Sequence, residues 1–546
     1  MSRFIRMLEV KRVQGEGASY LANSDLLPVP PEHRLWKAWN FGTFWIADSF
    51  NINTFMIASS MVGAGLTWWQ AWLCVWVGYA VAGIFLVLNA IPGARYHVIF
   101  PAYCRASFGV LGALWPTLNR SVMACVWYGV QAWIGGEATY TLLLAIFPSL
   151  AHLHNGIPSS GTDTAHFLTF FLFSLVSLVV IWFPIHTLRH FFTLKAVLAP
   201  IGGITLFAWC LGKANGAGSL MTAPSTIHGS GLGWTFVAQL MGCLGNMVDF
   251  ASRAEKRSDV VVPQLVALPV TFAITSLFGI LIGSSTEIIF GEFVWSPLDV
   301  MTRFLTVEGG ASHATRAGVA IISICFIVAQ IGTNIAANSL SAGCDLTAIF
   351  PRFLTIRRGG YIAALIGFCM CPWNLLASGT NFSTYLSAYT VFLSSIAGVM
   401  TAHYWLVAGQ KVKTDDLYTF SKTGAYRYFY GFNLRAFAAY FAGIAPNMPG
   451  FVGAVGHTVP LAATHIYQLS WFVGFGISAL IYYVLCRIFP LPTLTQEDVD
   501  TITLGPYAAP AELEKRASSY SRSFDDAKPE VEEEKSLEGD TRVDMV

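Results

Sequence analysis

From residue 41 to residue 489 the chain alternates between apolar runs of about twenty residues and short polar connections. A run of that length forms an α-helix long enough to cross the hydrocarbon core of a bilayer. Twelve such spans are expected, at 41–63, 69–91, 110–147, 166–186, 192–212, 234–250, 264–290, 315–349, 360–376, 382–408, 433–455 and 467–489. The third and eighth exceed what a bilayer requires and are expected to tilt or project beyond the lipid. Polar positions inside these runs are few. In the eighth span Gln330, Asn334, Asn338, Ser341 and Asp345 follow steps of four, four, three and four, the spacing of one helical face. A buried Asp costs roughly 2.5–3.5 kcal/mol at the bilayer centre on insertion scales. Such a stripe therefore faces protein or a water-filled path for a solute or ion.

Two other spans are interrupted at corresponding places. The first reads Asp48-Ser49-Phe50-Asn51-Ile52-Asn53-Thr54, and the sixth reads Gly242-Cys243-Leu244-Gly245-Asn246-Met247-Val248-Asp249. Asn and Asp are weak helix formers but good partners for loose backbone groups. Breaks five helices apart point to an inverted-repeat transporter with its site near the midplane. In the third span Trp127 and Gln131 are four apart and share a face. An indole and a two-ended amide suit a flat heterocycle, because stacking holds the ring and the amide both donates and accepts.

Composition narrows the class. Of 546 residues, 54% are hydrophobic and 12% charged, with a mean hydropathy of +0.56. This is an all-α polytopic membrane protein. A net charge of +1 without a dense basic block excludes a nucleic-acid partner. The ten cysteines are scattered through apolar segments without metal spacing, and His97, His403, His457 and His465 form no metal pattern either. No metal or cofactor is expected, and no His-Glu-x-x-His or nucleophile–base motif suggests an enzyme. The N-terminus lacks the apolar core of a cleavable signal peptide, so the first span is expected to act as the signal.

Basic residues are unequally shared between the two sides. Arg95, Arg105, Arg189, Lys195, Arg253, Lys256, Arg257, Arg352, Arg357, Arg358, Lys411, Lys413, Lys422 and Arg427 fall on one side, against little beyond Lys213 and Arg303 on the other. The richer side is cytosolic, with both termini inside. Residues 490–546 are a charged tail that cannot bury a core. It is either a solvated tail or a trafficking segment for ubiquitin-ligase machinery, with Lys515, Lys528 and Lys535 as candidate acceptors.

Trp39-Asn40-Phe41, the Asn51/Asn53 break, Trp127-x-x-x-Gln131 and Asn338 together resemble the nucleobase–cation symporter-1 family. The resemblance covers residues 25–490. It is strongest to the fungal Fur-type branch, whose members carry uracil, allantoin, uric acid, uridine or thiamine-like solutes. It implies twelve helices, the first ten in a LeuT-like five-plus-five inverted repeat. The organisation expected from it is a tail at 1–40, repeats at 41–212 and 234–408, helices eleven and twelve at 433–489, and a disordered tail at 490–546. Import by alternating access is expected, at the plasma membrane, although the sequence itself does not distinguish that membrane from an internal one.

Position by position, the resemblance puts the stacking Trp at Trp127 and the amide-reading groups at Gln131 and Asn338. Asn51 and Asn53 cap the break and reach substrate. The proton-linked acid falls on Asp345; Asp48 and Asp249, which sit beside the two breaks, are alternative proton sites or structural residues. Asp345 has a structural alternative as well, an ion pair with Arg352 or a basic loop. The gate falls on Leu386 and Tyr389. Two features depart from the family pattern. The sixth span lacks the second stacking Trp of bacterial members, offering only Phe236 and Phe250 at its edges. The adjacent hydroxyls of the bacterial sodium site read Gly332-Thr333 here, which favours a proton over sodium. Residues 25–40 are a candidate cytosolic lid. The other readings are a thiamine or uridine carrier of the same fold, a channel, or a non-transporting receptor.

Overall fold

The structure is a computed structural model that describes residues 9–10, 21–23, 25–183, 185–243, 250–306, 310–378, 384 and 388–491. Its described α-helices run in chain order as α1 (Ala38–Ser49), α2 (Ile52–Gly63), α3 (Trp68–Tyr96), α4 (Phe100–Phe108), α5 (Leu114–Ile146), α6 (Thr164–Ile181), α7 (Ile185–Ala214), α8 (Ser230–Cys243), α9 (Leu268–Phe290), α10 (Pro297–Leu305), α11 (His313–Thr333), α12 (Leu340–Ile349), α13 (Ile356–Cys369), α14 (Thr390–Ala402), α15 (Leu434–Ile444), α16 (Met448–Ala454), α17 (Leu461–Gln468) and α18 (Ser470–Ile488). No strand occurs among the described residues. Seven helical stretches, such as Trp68–Tyr96 and His313–Ile349, are long and apolar enough to cross a membrane.

The first span is broken where its sequence predicts. α1 ends at Ser49 and α2 starts at Ile52. Asn51 serves both ends of the gap. Its side chain accepts from the Thr54 backbone N–H at 3.1 Å and donates to the Asp48 carbonyl. Backbone groups freed by the break thus find partners where lipid offers none. The corresponding break in the sixth span, including Asp249, lies outside the described residues, as does Leu386.

The eighth span differs from expectation. It is not one continuous α-helix, because a π-helical turn at Asn334–Ser339 separates α11 from α12. The wider turn disturbs the four-residue stepping, so the polar stripe is two short faces joined at the bulge. Asn334 and Asn338 still meet across it, with Asn338 Nδ2 donating to Asn334 Oδ1 at 3.0 Å. π-Helical turns also open the seventh span (Pro263–Ala267) and close the tenth (His403–Val407). The eleventh span divides into α15 and α16 around Ala445–Asn447.

Lipid tails are as apolar as Leu, so helices here associate by close packing of small residues rather than by hydrophobic drive. Gly129 of α5 and Gly367 of α13 show this. A Cβ on Gly129 would lie 2.6 Å from the Gly367 carbonyl oxygen. Ser394, Ser395 and Gly398 of α14 form a similar seam with Gly474 and Ser478 of α18.

The segment from residue 21 to residue 37 straps across one face. Asn23 donates to the carbonyls of Pro351 and Leu354, and Leu26 accepts from Tyr418 Oη at 2.9 Å. Val29 N donates to His97 O at 2.9 Å, and Trp36 N to Arg253 O at 3.1 Å. The connections carrying Arg95, Arg253 and Arg352 therefore share a face, as their charge predicts.

Candidate functional site

At the break in the first span a central cavity of about 180 Å³ opens between α1, α2, α5 and the π-turn of the eighth span. Asp48, Asn51, Asn53, Trp127, Gln131 and Asn338 all line it, together with Tyr389. Residues far apart in sequence, expected to form one site, are thus brought together. The cavity extends past Arg120 to Phe100 and Ser252, toward the face that carries the strap.

Each wall has a local origin. Trp127 is half-buried and meets Tyr389 edge to face, with centroids 6.3 Å apart and planes at 88°. The indole contributes a flat apolar surface to the cavity wall. Gln131 is buried one turn along α5. Its Oε1 accepts from Gln330 Nε2, which also donates to the Gln131 backbone carbonyl at 3.0 Å. Asn334 Nδ2 donates to the Tyr128 carbonyl at 3.1 Å. The polar stripe of the eighth span is therefore bound across to the third span, and Gln330 and Asn334 hold the cavity-lining Gln131 and Asn338 in place. Asn53 Oδ1 and Thr54 Oγ1 are buried on the opposite wall and find no hydrogen-bond partner among the described residues.

Charge is arranged at two places. Asp345, fully buried, is gripped at both oxygens by Arg120, with Nε to Oδ2 at 2.7 Å. The expected partner was Arg352 or a basic loop; Arg352 instead pairs with Glu9. The guanidinium of Arg120 lies 3.8 Å over the Phe100 ring and lines the cavity, with Asp345 behind it. At the break, Asp48 Oδ1 stands 4.0 Å from Lys195 Nζ on α7. The Lys195 stem runs against Gly332, where a Cβ would fall 2.7 Å from Lys195 Cδ. Thr333 turns its hydroxyl back to the Ala329 carbonyl at 3.0 Å. Glu137, off the Gln131 face, pairs with His166 at 2.8 Å.

Sequence reasoning missed Arg120 and Lys195 as site residues. Arg120 had a signal: it stands seven residues before Trp127, two turns away on the same helical face. Lys195 had none, because its partner is more than a hundred residues away.

A family signature described as a permease for cytosine/purines, uracil, thiamine and allantoin matches residues 28–474. The chain belongs to this permease family. It is similar to the allantoin permease of Saccharomyces cerevisiae, at 45% identity over 491 residues, 87% of this chain and 77% of that protein. It is also similar to the uracil permease of the same yeast, at 43% over 493 residues, with 87% and 77% covered. Among solved structures it resembles Mhp1, a nucleobase–cation-symport-1 transporter in a closed conformation with bromovinylhydantoin bound. The TM-score is 0.68 at 20% identity, covering 92% of this chain and 100% of that one. The permease is thus a multi-pass membrane transporter of LeuT-like fold and not an enzyme.

Proposed function

We propose that this permease imports uracil, allantoin or uric acid together with a proton, by alternating access at the plasma membrane with both termini cytosolic. The observation that carries the reading is the convergence of Trp127, Gln131 and Asn338 on one cavity at a broken helix. The indole of Trp127, on the cavity wall, takes a planar ring. Gln131 accepts through Oε1 within the protein, so its nitrogen serves as the donor to a ring carbonyl. Asn338 donates through Nδ2 within the protein, so its oxygen serves as the acceptor for a ring N–H. A donor beside an acceptor matches the edge of an imide or ureide. Allantoin and uracil, for which the two yeast relatives are named, carry that edge.

Proton coupling rests on the carboxylates. Asp48 faces the cavity beside Lys195, and Asp345 is held behind Arg120. Lys195 packs on Gly332, where the resemblance expects a sodium-ligating hydroxyl. A resident cation at that place disfavours a sodium ion by charge repulsion. The membrane potential supplies about 2.3 kcal/mol per charge per 100 mV, enough to concentrate a neutral solute. Tyr389, which lines the cavity, serves as a gate residue together with Leu386, and the segment from residue 25 to residue 40 is the cytosolic lid. The five-plus-five division at 41–212 and 234–408 supplies the rocking bodies, and the tail from residue 490 carries trafficking signals.

The test is uptake of radiolabelled uracil in transporter-deficient cells, with unlabelled allantoin, uric acid, uridine and thiamine as competitors and a protonophore control. Saturable, protonophore-sensitive uptake blocked by uracil, allantoin or urate is expected. Asn338→Ala is expected to abolish uptake with surface protein unchanged, and normal uptake by that variant would remove Asn338 from the site.

A further inference from the structure

On the face that carries the basic connections lies a second cavity, of about 480 Å³, away from the central one. Three elements wall it: the π-turn His403–Val407 that ends the tenth span, the connection at residues 408–428, and the end of α18. Lys411 and Arg487 bring two cations from two of these elements. Arg487 is braced, its guanidinium 5.0 Å over the Tyr483 ring and its Nε donating to Tyr483 Oη at 3.0 Å. Leu406, on the rim, is 57% exposed, and Ile488 beside the cavity's end is 62% exposed. The cavity is thus cationic and polar inside and continuous with the lipid-facing surface outside.

His403 points to what it holds. The side chain is only 3% exposed and lines the cavity, yet Nε2 has no hydrogen-bond partner among the described residues. Nδ1 lies 2.9 Å from Tyr482 Oη. Asn433 Nδ2 also donates to that same phenol oxygen at 3.1 Å. An amide N–H cannot accept, so the phenol receives from Asn433 and keeps its own proton to give. Cys486 also stands in hydrogen-bond contact with the phenol, and an imidazole nitrogen is a far better acceptor than a thiol, so the proton goes to Nδ1. That assignment places the imidazole proton on Nε2, a buried donor on a side chain that lines the cavity together with Lys411 and Arg487. A buried donor without a partner is costly, and an anionic oxygen is what it fits.

We infer that this cavity binds a phosphate ester anion, delivered as the headgroup of an anionic phospholipid. A phosphate oxygen accepts from His403 Nε2, Lys411 and Arg487 balance the charge, and the acyl chains lie along Leu406 and Ile488. Basic pockets between spans at the cytosolic surface take such headgroups. The occupied site ties the end of the tenth span to the end of α18. Because α14 begins next to Tyr389, a bound headgroup would fix the far end of the helix that carries the gate.

The test uses the full chain, purified, delipidated in detergent and titrated with dioctanoyl lipids under native mass spectrometry. Dioctanoyl phosphatidylinositol and phosphatidylserine are compared with dioctanoyl phosphatidylcholine, and inositol monophosphate and inorganic phosphate report a soluble source. Saturable binding of the anionic lipids at least about tenfold tighter than phosphatidylcholine is expected, the ratio of one charged contact. Arg487→Gln changes an exposed side chain and should lose most of that preference with the melting temperature unchanged. His403→Asn keeps an acceptor for Tyr482 and removes the donor into the cavity, and should do the same; His403→Gln, which restores a donor further out, should recover part of it. Equal binding of anionic and zwitterionic lipids, or preference unaffected by both Arg487→Gln and His403→Asn, would overturn the site. Inositol monophosphate binding as tightly as the lipid would overturn the lipid source. None of these readouts depends on uptake, so the result stands apart from the substrate assignment.

Discussion

Two buried carboxylates flank the path from the break to the strapped face, and they are held in opposite ways. Asp345 has both oxygens bound by the fork of Arg120, a planar donor that itself rests on Phe100. Asp48 has a single ammonium at 4.0 Å, the outer limit of an ion pair, and sits on the cavity wall. A bidentate guanidinium pair is preorganised and holds its charge. A loose lysine contact leaves the carboxylate open to exchange a proton with whatever enters. The comparison gives the two acids different work. Asp345 fixes the third span to the eighth, and under the proposed proton coupling Asp48 is the acid placed to take the proton.

The largest effect expected from breaking this contrast is at Arg120. Removing one partner of a buried pair costs about 3–5 kcal/mol, because the other charge is left stranded. Arg120→Ala should therefore lower the melting temperature and surface delivery sharply, and Arg120→Leu with Asp345→Leu should recover much of both. A double variant as unstable as the single one would show that the pair is not the cause. Next comes Asp48→Asn, expected to reach the surface yet lose the dependence of uptake on external pH and on protonophore. Asp48→Asn with intact coupling beside an uncoupled, well-folded Asp345→Asn would return the proton to Asp345. Gly332→Ala should follow, with a several-fold loss of transport as its Cβ displaces the Lys195 stem; unchanged transport would mean that Lys195 adjusts freely.

The smallest effect lies outside the membrane, at His97. Burial and the neighbouring Arg34 push its imidazole down to about 4, against a weaker opposing contribution from the Ser252 carbonyl. Unfolded, it titrates near 6.5. The stabilising difference is fully present above pH 6.5 and is lost as pH falls toward 4, since only the unfolded chain binds the proton in that window. His97→Gln should flatten the stability profile of the purified protein between those limits. A profile identical to the parent's would show that His97 is not the group responsible.

Much of the site was legible because its chemistry is conspicuous against lipid. Asn51 stood out as an amide in an apolar run, and it caps the break it predicts. Trp127, Gln131 and Asn338 stood out for the same reason and share one cavity. What escaped was geometry that spacing cannot encode. The π-turn at Asn334–Ser339 is built from residues that would pass for ordinary helix, and only packing against α5 decides it. Lys195 lies near the start of the span expected at 192–212, with basic neighbours, and its sequence reads as an interfacial cation rather than as the partner of Asp48. Arg120 reads the same way until its face is counted.

The strap has a mechanical consequence. Leu26 is held by Tyr418 and Val29 by His97, on two connections more than three hundred residues apart. Three residues of fully extended chain reach at most about 10 Å. While both hydrogen bonds hold, those anchors form a tether of fixed maximum length, so the strapped face can open only so far. Opening it further means releasing one of the two anchors.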